Sequence, residues 1–103
     1  MEKGYKFLVS VVLKKDPDVV KIEIYTSPIC GFCNAAKRLL EKKGVAYEEI
    51  DVMMEPAKRE EMAERSGGGT SVPQIFVGGK YLGDCTEIME MDQEGALDAR
   101  LGV

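Results

Sequence analysis

The segment Cys30-Gly31-Phe32-Cys33 decides how the rest of this sequence is interpreted. It follows Lys21–Tyr25, which alternates polar and apolar residues like a β-strand, and precedes apolar residues at helical spacing in 35–40. A cysteine at the start of a helix meets unpaired backbone N–H groups and the helix dipole, which favour a thiolate. Because the thiolate is the attacking species in disulfide exchange, we predict an exposed nucleophile at Cys30 and a more buried resolving thiol at Cys33.

Two alternatives for the cysteine pair stay open on the residues alone. The pair could be half of a zinc site, but structural zinc sites need four ligands and this chain has only Cys85 left over and no histidine. The pair could also be two unrelated buried cysteines, which the strand-to-helix position does not favour.

The remaining pattern predicts strands and helices in the order β-α-β-α-β-β-α. A first β-α-β unit requires parallel strands, and a final hairpin adds an antiparallel pair, so we expect an α/β fold with a mixed four-stranded sheet flanked by helices. Tyr47 and Ile50 are expected to point inward. After the first strand and helix, the predicted elements are a strand over 45–52, a helix from Pro56 to Gly67, strands over 74–77 and 80–82 joined by Gly78-Gly79, and helical segments over 86–91 and 92–101. The second helix is expected to present a solvated face of Arg59, Glu60, Glu61, Glu64 and Arg65.

Size and composition exclude several classes of protein. A chain of 103 residues fits one domain, which we place at 20–103, with 1–19 as an N-terminal extension of uncertain structure. The net charge is −4 and there is no basic stripe, so nucleic acid is not an expected partner. The apolar run 7–13 is too short to span a bilayer, and three cysteines suit a reducing compartment. We therefore expect no membrane association and a cytoplasmic location, with an organelle matrix as the alternative.

Several spaced motifs together resemble the glutaredoxin family. They are Ile24-Tyr25-Thr26 leading into the cysteine pair, then Ser71-Val72-Pro73, then Gly83-Asp84-Cys85. The similarity runs from about residue 20 to the C-terminus and points to the small bacterial dithiol members. It implies a thioredoxin-like fold and a monomeric, glutathione-dependent oxidoreductase. Its partners would be glutathione and proteins that carry glutathione mixed disulfides or disulfide bonds.

The resemblance also implies a glutathione-binding set. Pro73 should follow a cis peptide bond, and the backbone of Val72 should pair with the cysteinyl backbone of glutathione. Backbone N–H groups at the start of a helix, at Cys85 and Thr86, would bind the γ-glutamyl carboxylate, and Cys85 itself is not expected to be catalytic. The full set is Phe32, Arg59, Ser71, Val72, Pro73, Gly83, Asp84, Cys85 and Thr86. Arg59 would contact the glycine carboxylate, with a solvated helix face as its alternative, and Phe32 would pack beside the ligand or cover the helix start.

Three residues depart from the family pattern. Ser27 stands where many members have lysine, which removes a positive charge near the thiolate. Asp84 replaces the second glycine of a Gly-Gly pair and would repel or reorient the glutamyl carboxylate. Gly31 stands where many dithiol members have proline.

A second function follows from the same resemblance. In some glutaredoxins two chains and two glutathiones share a [2Fe–2S] cluster through the first active-site cysteine, here Cys30, so that the protein dimerises. Gly31 relaxes the loop that a proline would stiffen, and Cys-Gly-Phe is similar to the start of the monothiol cluster-carrier motif. The retained Cys33 favours the oxidoreductase.

Overall fold

The computed structural model describes residues 21–103, and the predicted extension 1–19 lies outside them. The elements follow the predicted order, and two helices follow the hairpin as predicted. No helix in this range is long and apolar enough to cross a membrane. The elements are β1 (Ile22–Thr26), α1 (Gly31–Lys42), β2 (Glu48–Asp51), α2 (Pro56–Ser66), β3 (Gln74–Val77), β4 (Lys80–Gly83), α3 (Cys85–Gln93) and α4 (Leu97–Leu101).

The four strands form one mixed sheet, as predicted, and their order in it is β2-β1-β3-β4. β1 pairs in parallel with β2, whereas β3 pairs antiparallel with both β1 and β4. Tyr25 lies opposite Gln74, and Ile75 lies opposite Gly83. The C-terminal ends of β1, β2 and β4 and the N-terminal end of β3 therefore share one edge of the sheet, from which the loops to α1, α2 and α3 depart.

The sheet carries a hydrophobic layer on each face. One layer, which includes Ile24, Leu40 and Ile88, packs α1, α3 and α4 against the sheet. The other is smaller and packs Met62 of α2 against residues that include Phe76. Alternate strand residues point to opposite faces, which explains why one sheet serves both layers.

Strand β2 is shorter than the predicted 45–52, since only Glu48–Asp51 pair with β1. Tyr47 and Ile50 do pack inward, but Tyr47 contacts the α1 layer and Ile50 contacts the α2 layer. The two residues are three positions apart, which is an odd number, so in an extended chain their side chains face opposite sides.

The boundary predicted between residues 91 and 92 is wrong, because α3 continues through Asp92 to Gln93. The break comes at Gly95, whose φ of 77° lies in the left-handed region that favours glycine. Lys43, at the end of α1, contacts Asp92 at 2.6 Å and Asp98 at 2.7 Å. This cation joins α3 and α4 across the break and holds both against α1.

The prediction that Arg65 belongs to a solvated face is also wrong. Its guanidinium group donates to Glu23 at 2.8 Å and to the Tyr25 hydroxyl at 2.6 Å, and lies 4.3 Å from the centre of the Phe76 ring. The Glu23 side chain is only 11% exposed. The hydrogen bond from Arg65 is the main reason that the pKa of Glu23 is lowered from its usual value. Arg65 thus compensates a buried carboxylate and covers the aromatic residues beneath α2.

We expect Arg65→Ala to lower the free energy of unfolding at neutral pH by about 3 kcal/mol, because it leaves Glu23 buried without a counterion. The lowered pKa of Glu23 stabilises the fold above pH 4.5, and this contribution is lost as the pH falls below that value. The difference in the free energy of unfolding between wild type and Arg65→Ala should therefore become smaller as the pH is lowered. Urea unfolding at several pH values measures both effects. The matched control is Arg38→Ala, at an exposed position of α1, which should lower the free energy of unfolding by less than about 0.5 kcal/mol. An equal loss of free energy of unfolding in both variants would contradict this account.

Candidate active site

Cys30 lies at the N-terminus of α1 and caps it with its own sulfur. Its backbone is extended, with φ −100° and ψ 110°, and its Sγ accepts the backbone N–H of Cys33 at 3.0 Å. The preceding turn is closed by the Cys30 N–H, which donates to the Ser27 carbonyl at 3.2 Å. A sulfur in this position receives an otherwise unpaired helix N–H and lies at the positive end of the helix dipole.

Cys33 lies in the first turn of α1 and faces the core, with 1% of its surface exposed. Burial, followed by the hydrogen bond and negative charge of Cys30, raises the pKa of Cys33 to about 12. Cys30 is only half-buried, and all three cysteines are free thiols. The predicted asymmetry between an accessible Cys30 and a buried Cys33 is confirmed.

The Val72–Pro73 segment lies directly opposite Cys30. The Val72–Pro73 peptide bond is cis, as expected, and the Val72 carbonyl oxygen is 3.7 Å from the Cys30 sulfur. The backbone just before it is held by two side chains: Gln74 Nε2 donates to the Ser71 carbonyl at 3.0 Å, and Arg59 donates to the Thr70 carbonyl.

Arg59 therefore has a partner within the chain that the sequence did not predict. It lies on α2, half-buried, and its guanidinium group is engaged with the loop that leads to Ser71. Gln74 is 98% buried, since only 2% of its surface is exposed, and it was missed altogether. Nothing in the sequence distinguishes it from an ordinary strand residue, because its role depends on the loop folding back over β3.

The segment from Gly83 to Thr86 leaves the sheet at the same edge. Gly83 has a φ of 154°, and a Cβ there would lie 2.8 Å from the Cβ of Glu87, so a larger residue does not fit. Asp84 caps α3: its Oδ1 accepts the Glu87 N–H at 2.9 Å, while Glu87 Oε1 accepts the Asp84 N–H at 2.9 Å. This is a capping box, and Glu87 belongs to the site although the sequence analysis overlooked it. The spacing Asp-x-x-Glu was the signal that could have found it.

Cys85 is buried, with 4% of its surface exposed, at the first position of α3. Burial is the main cause that raises the pKa of the Cys85 thiol, and the charges of Asp84 and Cys30 raise it further. Its thiol is thus within electrostatic reach of Cys30 but is held in the unreactive, protonated form.

Exposed apolar side chains flank the reactive cysteine. Ile29 is 82% exposed and Phe32 is 68% exposed. Phe32, the second residue of α1, is exposed next to Cys30, and its position beside a ligand stays a prediction. Among residues 21–103, no three cysteine, aspartate or glutamate side chains gather where they would hold a metal ion.

The sheet edge thus brings together Cys30, Cys33, Val72 with Pro73, and the start of α3. Such a fold, with a Cys-x-x-Cys pair at the start of the first helix, defines a thiol–disulfide oxidoreductase with a thioredoxin-like fold. A family model described as Glutaredoxin matches residues 22–82. Glutaredoxin 3 of Escherichia coli K12 is 43% identical over 83 residues, which are 81% of this chain and 99% of that protein. The chain belongs to the glutaredoxin family.

Solved structures agree with this assignment. The solution structure of glutaredoxin from Brucella melitensis is 44% identical, with a TM-score of 0.71 over 82% of this chain and 91% of that one. The crystal structure of a buckwheat glutaredoxin–glutathione complex is 29% identical, with a TM-score of 0.71 over 78% of this chain and 74% of that one.

The site predicts selective alkylation of a single cysteine. At about pH 8, a Cys33 pKa of about 12 leaves roughly one Cys33 in 10⁴ as thiolate, and Cys85 is buried as well. Iodoacetamide should therefore add one group, at Cys30, as measured by peptide mass spectrometry over time. In denaturant all three cysteines should react at similar rates. Labelling of native Cys33 as fast as Cys30 would show that the described asymmetry is wrong.

Proposed function

We propose that this protein reduces protein–glutathione mixed disulfides and protein disulfides with glutathione as the electron donor. The observation that carries the proposal is the half-exposed Cys30 sulfur, which accepts a helix N–H at 3.0 Å and lies 3.7 Å from the Val72 carbonyl oxygen of the cis peptide bond. This arrangement supports a role for Cys30 as the nucleophile, beside a backbone segment on which a tripeptide would dock.

The first reaction is the exchange of glutathione. The Cys30 thiolate attacks the glutathione sulfur of a mixed disulfide, so that a Cys30–glutathione disulfide forms and the client protein leaves as a thiolate that takes up a proton. The thiolate of a second glutathione then attacks the bound glutathione sulfur. Oxidised glutathione leaves, and Cys30 returns to the thiolate state.

The second reaction uses Cys33. When Cys30 has formed a mixed disulfide with a client, its sulfur no longer carries a negative charge and no longer takes part in hydrogen bonds as a thiolate. Two of the causes that raise the pKa of Cys33 therefore disappear at this step, and only burial remains to oppose its ionisation. Cys33 attacks the Cys30 sulfur, a Cys30–Cys33 disulfide forms, and the client leaves as a dithiol. Two glutathiones then reduce the disulfide.

Glutathione binding is supported by the backbone groups at the sheet edge. The Val72 backbone beside Pro73 would pair with the cysteinyl residue, and the side chains of Arg59 and Gln74 hold the preceding loop in place. Phe32, Ser71, Gly83, Asp84, Cys85 and Thr86 would complete the surface around the ligand. A family member from buckwheat is known as a complex with glutathione, which supports the ligand class.

The setting of the reaction is part of the proposal. Residues 20–103 would form the glutaredoxin domain, with 1–19 as an N-terminal extension. Three free thiols suit a reducing compartment such as the cytoplasm. The oxidoreductase would act as a monomer, because Cys30 and Cys33 of one chain suffice for both reactions.

Substitution of the two cysteines separates the two reactions. Cys30→Ser should abolish glutathione-dependent reduction of both a small glutathione mixed disulfide and a protein disulfide, a loss of at least about 10³-fold. Cys33→Ser should retain the first reaction and lose the second, because only protein disulfides need the resolving thiol. Coupled assays with glutathione reductase measure both. Cys85→Ala removes the third thiol but keeps the backbone N–H that would bind the glutamyl carboxylate, so it should retain both reactions. Full activity of Cys30→Ser would refute the assignment of the nucleophile.

A second candidate function is the binding of a [2Fe–2S] cluster by a dimer. The specific observation that favours it is the exposure of Ile29 and Phe32 on both sides of Cys30, which lets a second chain approach the sulfur. One chain provides no group of three ligands within residues 21–103, so the donor set fits a cluster only when Cys30 of two chains and two glutathiones combine.

The visible spectrum tests this candidate. Protein from iron-replete expression, kept anaerobic with glutathione, should be brown and dimeric by size-exclusion chromatography, whereas Cys30→Ser should be colourless and monomeric. Cys33→Ser should keep both colour and dimer. Colourless wild-type protein after iron and sulfide reconstitution with glutathione would rule the cluster function out.

A further inference from the structure

The backbone of Thr70, Ser71 and Val72 is held by side chains. Within the described part of the chain, none of the three residues makes a backbone–backbone hydrogen bond. Instead, Arg59 donates to the Thr70 carbonyl, and Gln74 Nε2 donates to the Ser71 carbonyl at 3.0 Å. The contact of Arg59 is open to water, whereas Gln74 is buried, so its hydrogen bond is shielded from competition by water. The position of Val72 therefore depends mainly on the Gln74 amide.

On stability alone, a glutamine is unfavourable at position 74. The Gln74 side chain lies on the same face of the sheet as Tyr25, its partner in β1. Its Oε1 is buried and receives no hydrogen bond from the described residues. A buried amide oxygen without a donor costs free energy, and an apolar side chain of the same length would avoid that cost. The feature that distinguishes Gln74 from an apolar residue is thus its hydrogen bond to the Ser71 carbonyl.

Gly69 leaves room for this amide. A Cβ on residue 69 would lie 2.8 Å from Gln74 Nε2 and 3.3 Å from Ser66 Oγ, which itself accepts the Gly69 N–H at 3.1 Å. Because 2.8 Å is too close for such a contact, a side chain there would push the amide away from the Ser71 carbonyl. The backbone at Gly69 does not itself require glycine, since its φ lies outside the left-handed region.

We propose that Gln74, whose amide packs against Gly69, is a positioning residue that gives Cys30 its preference for disulfides that contain glutathione. Gln74 acts through the Ser71 carbonyl. It holds the Val72 backbone ready to pair with the cysteinyl residue of glutathione, which reduces the entropy lost on docking. The inference rests on the proposed function in one respect, the docking of glutathione on Val72. Reagents that reach Cys30 without docking there are indifferent to Gln74.

Gln74→Met tests the proposal, because methionine has a similar length but no hydrogen-bond donor. Two reactions of the reduced full chain are compared. Reduction of a peptide–glutathione mixed disulfide at fixed glutathione, coupled to glutathione reductase, gives kcat/KM for a substrate that docks on Val72. Alkylation of Cys30 by iodoacetamide gives the reactivity of the thiol without docking. Urea unfolding reports the stability of each variant.

In Gln74→Met, kcat/KM for the mixed disulfide should fall by at least about threefold, the effect of one lost hydrogen bond. The alkylation rate and the midpoint of urea unfolding should stay close to those of wild type. Gly69→Ala should lower kcat/KM by a similar factor while residue 74 is intact. The double variant should be no worse than either single one, because both substitutions remove the same hydrogen bond.

Arg65→Ala is the matched control, since it destabilises the layer beneath α2 without touching the Ser71 carbonyl, and it should keep the wild-type kcat/KM. Three results would overturn the inference: wild-type kcat/KM in Gln74→Met, an equal fall in Arg65→Ala, or an alkylation rate that falls in parallel with kcat/KM. If wild type does not reduce the peptide–glutathione mixed disulfide at all, the proposed function fails, and the inference with it.

Discussion

The hydrogen bond from the Cys33 N–H to the Cys30 sulfur is the interaction on which the chemistry of this protein depends. It exists because α1 begins at Gly31, so that the sulfur of the preceding residue occupies the position of a helix cap. The same contact separates the roles of the two cysteines. Cys30 gains a donor and the helix dipole, whereas Cys33 is turned into the core, where burial and the neighbouring charge hold it as a thiol.

The mixed sheet explains why the other parts of the site meet this sulfur. Parallel pairing of β1 and β2, combined with antiparallel pairing of β3 and β4, puts the loop after β1, the loop before β3 and the turn after β4 at one edge. Each loop is then fixed by polar contacts. Gln74 and Arg59 hold the backbone before Val72, and the capping box holds the start of α3. The hydrophobic layers stabilise the fold, and these few hydrogen bonds hold the backbone of the site in place.

Charged side chains around this edge are engaged with backbone groups. Asp84 and Glu87 each cap the start of α3 through the other's backbone N–H, and Arg59 donates to the Thr70 carbonyl in the loop before Val72. By contrast, the carboxylate of Glu23 is buried and paired with Arg65 beneath α2, where it serves the fold. The acidic residues therefore differ in role, because Asp84 and Glu87 lie at the candidate site and Glu23 lies against the aromatic residues beneath α2.

The sequence alone determined the order of elements, the strand-to-helix position of Cys30 and Cys33, and the family, because these depend on local periodicity and on spacing along the chain. It did not reveal the burial of Arg65, the partner of Arg59, or the role of Gln74. These three features depend on which residues from distant segments of the chain meet in the fold. The pattern of charges along α2 does not show that Glu23 of β1 lies beneath Arg65, nor that the Gln74 side chain reaches the Ser71 carbonyl. The tertiary structure decided them, since hydrogen bonds and burial are fixed only when separated parts of the chain exclude water from the same place.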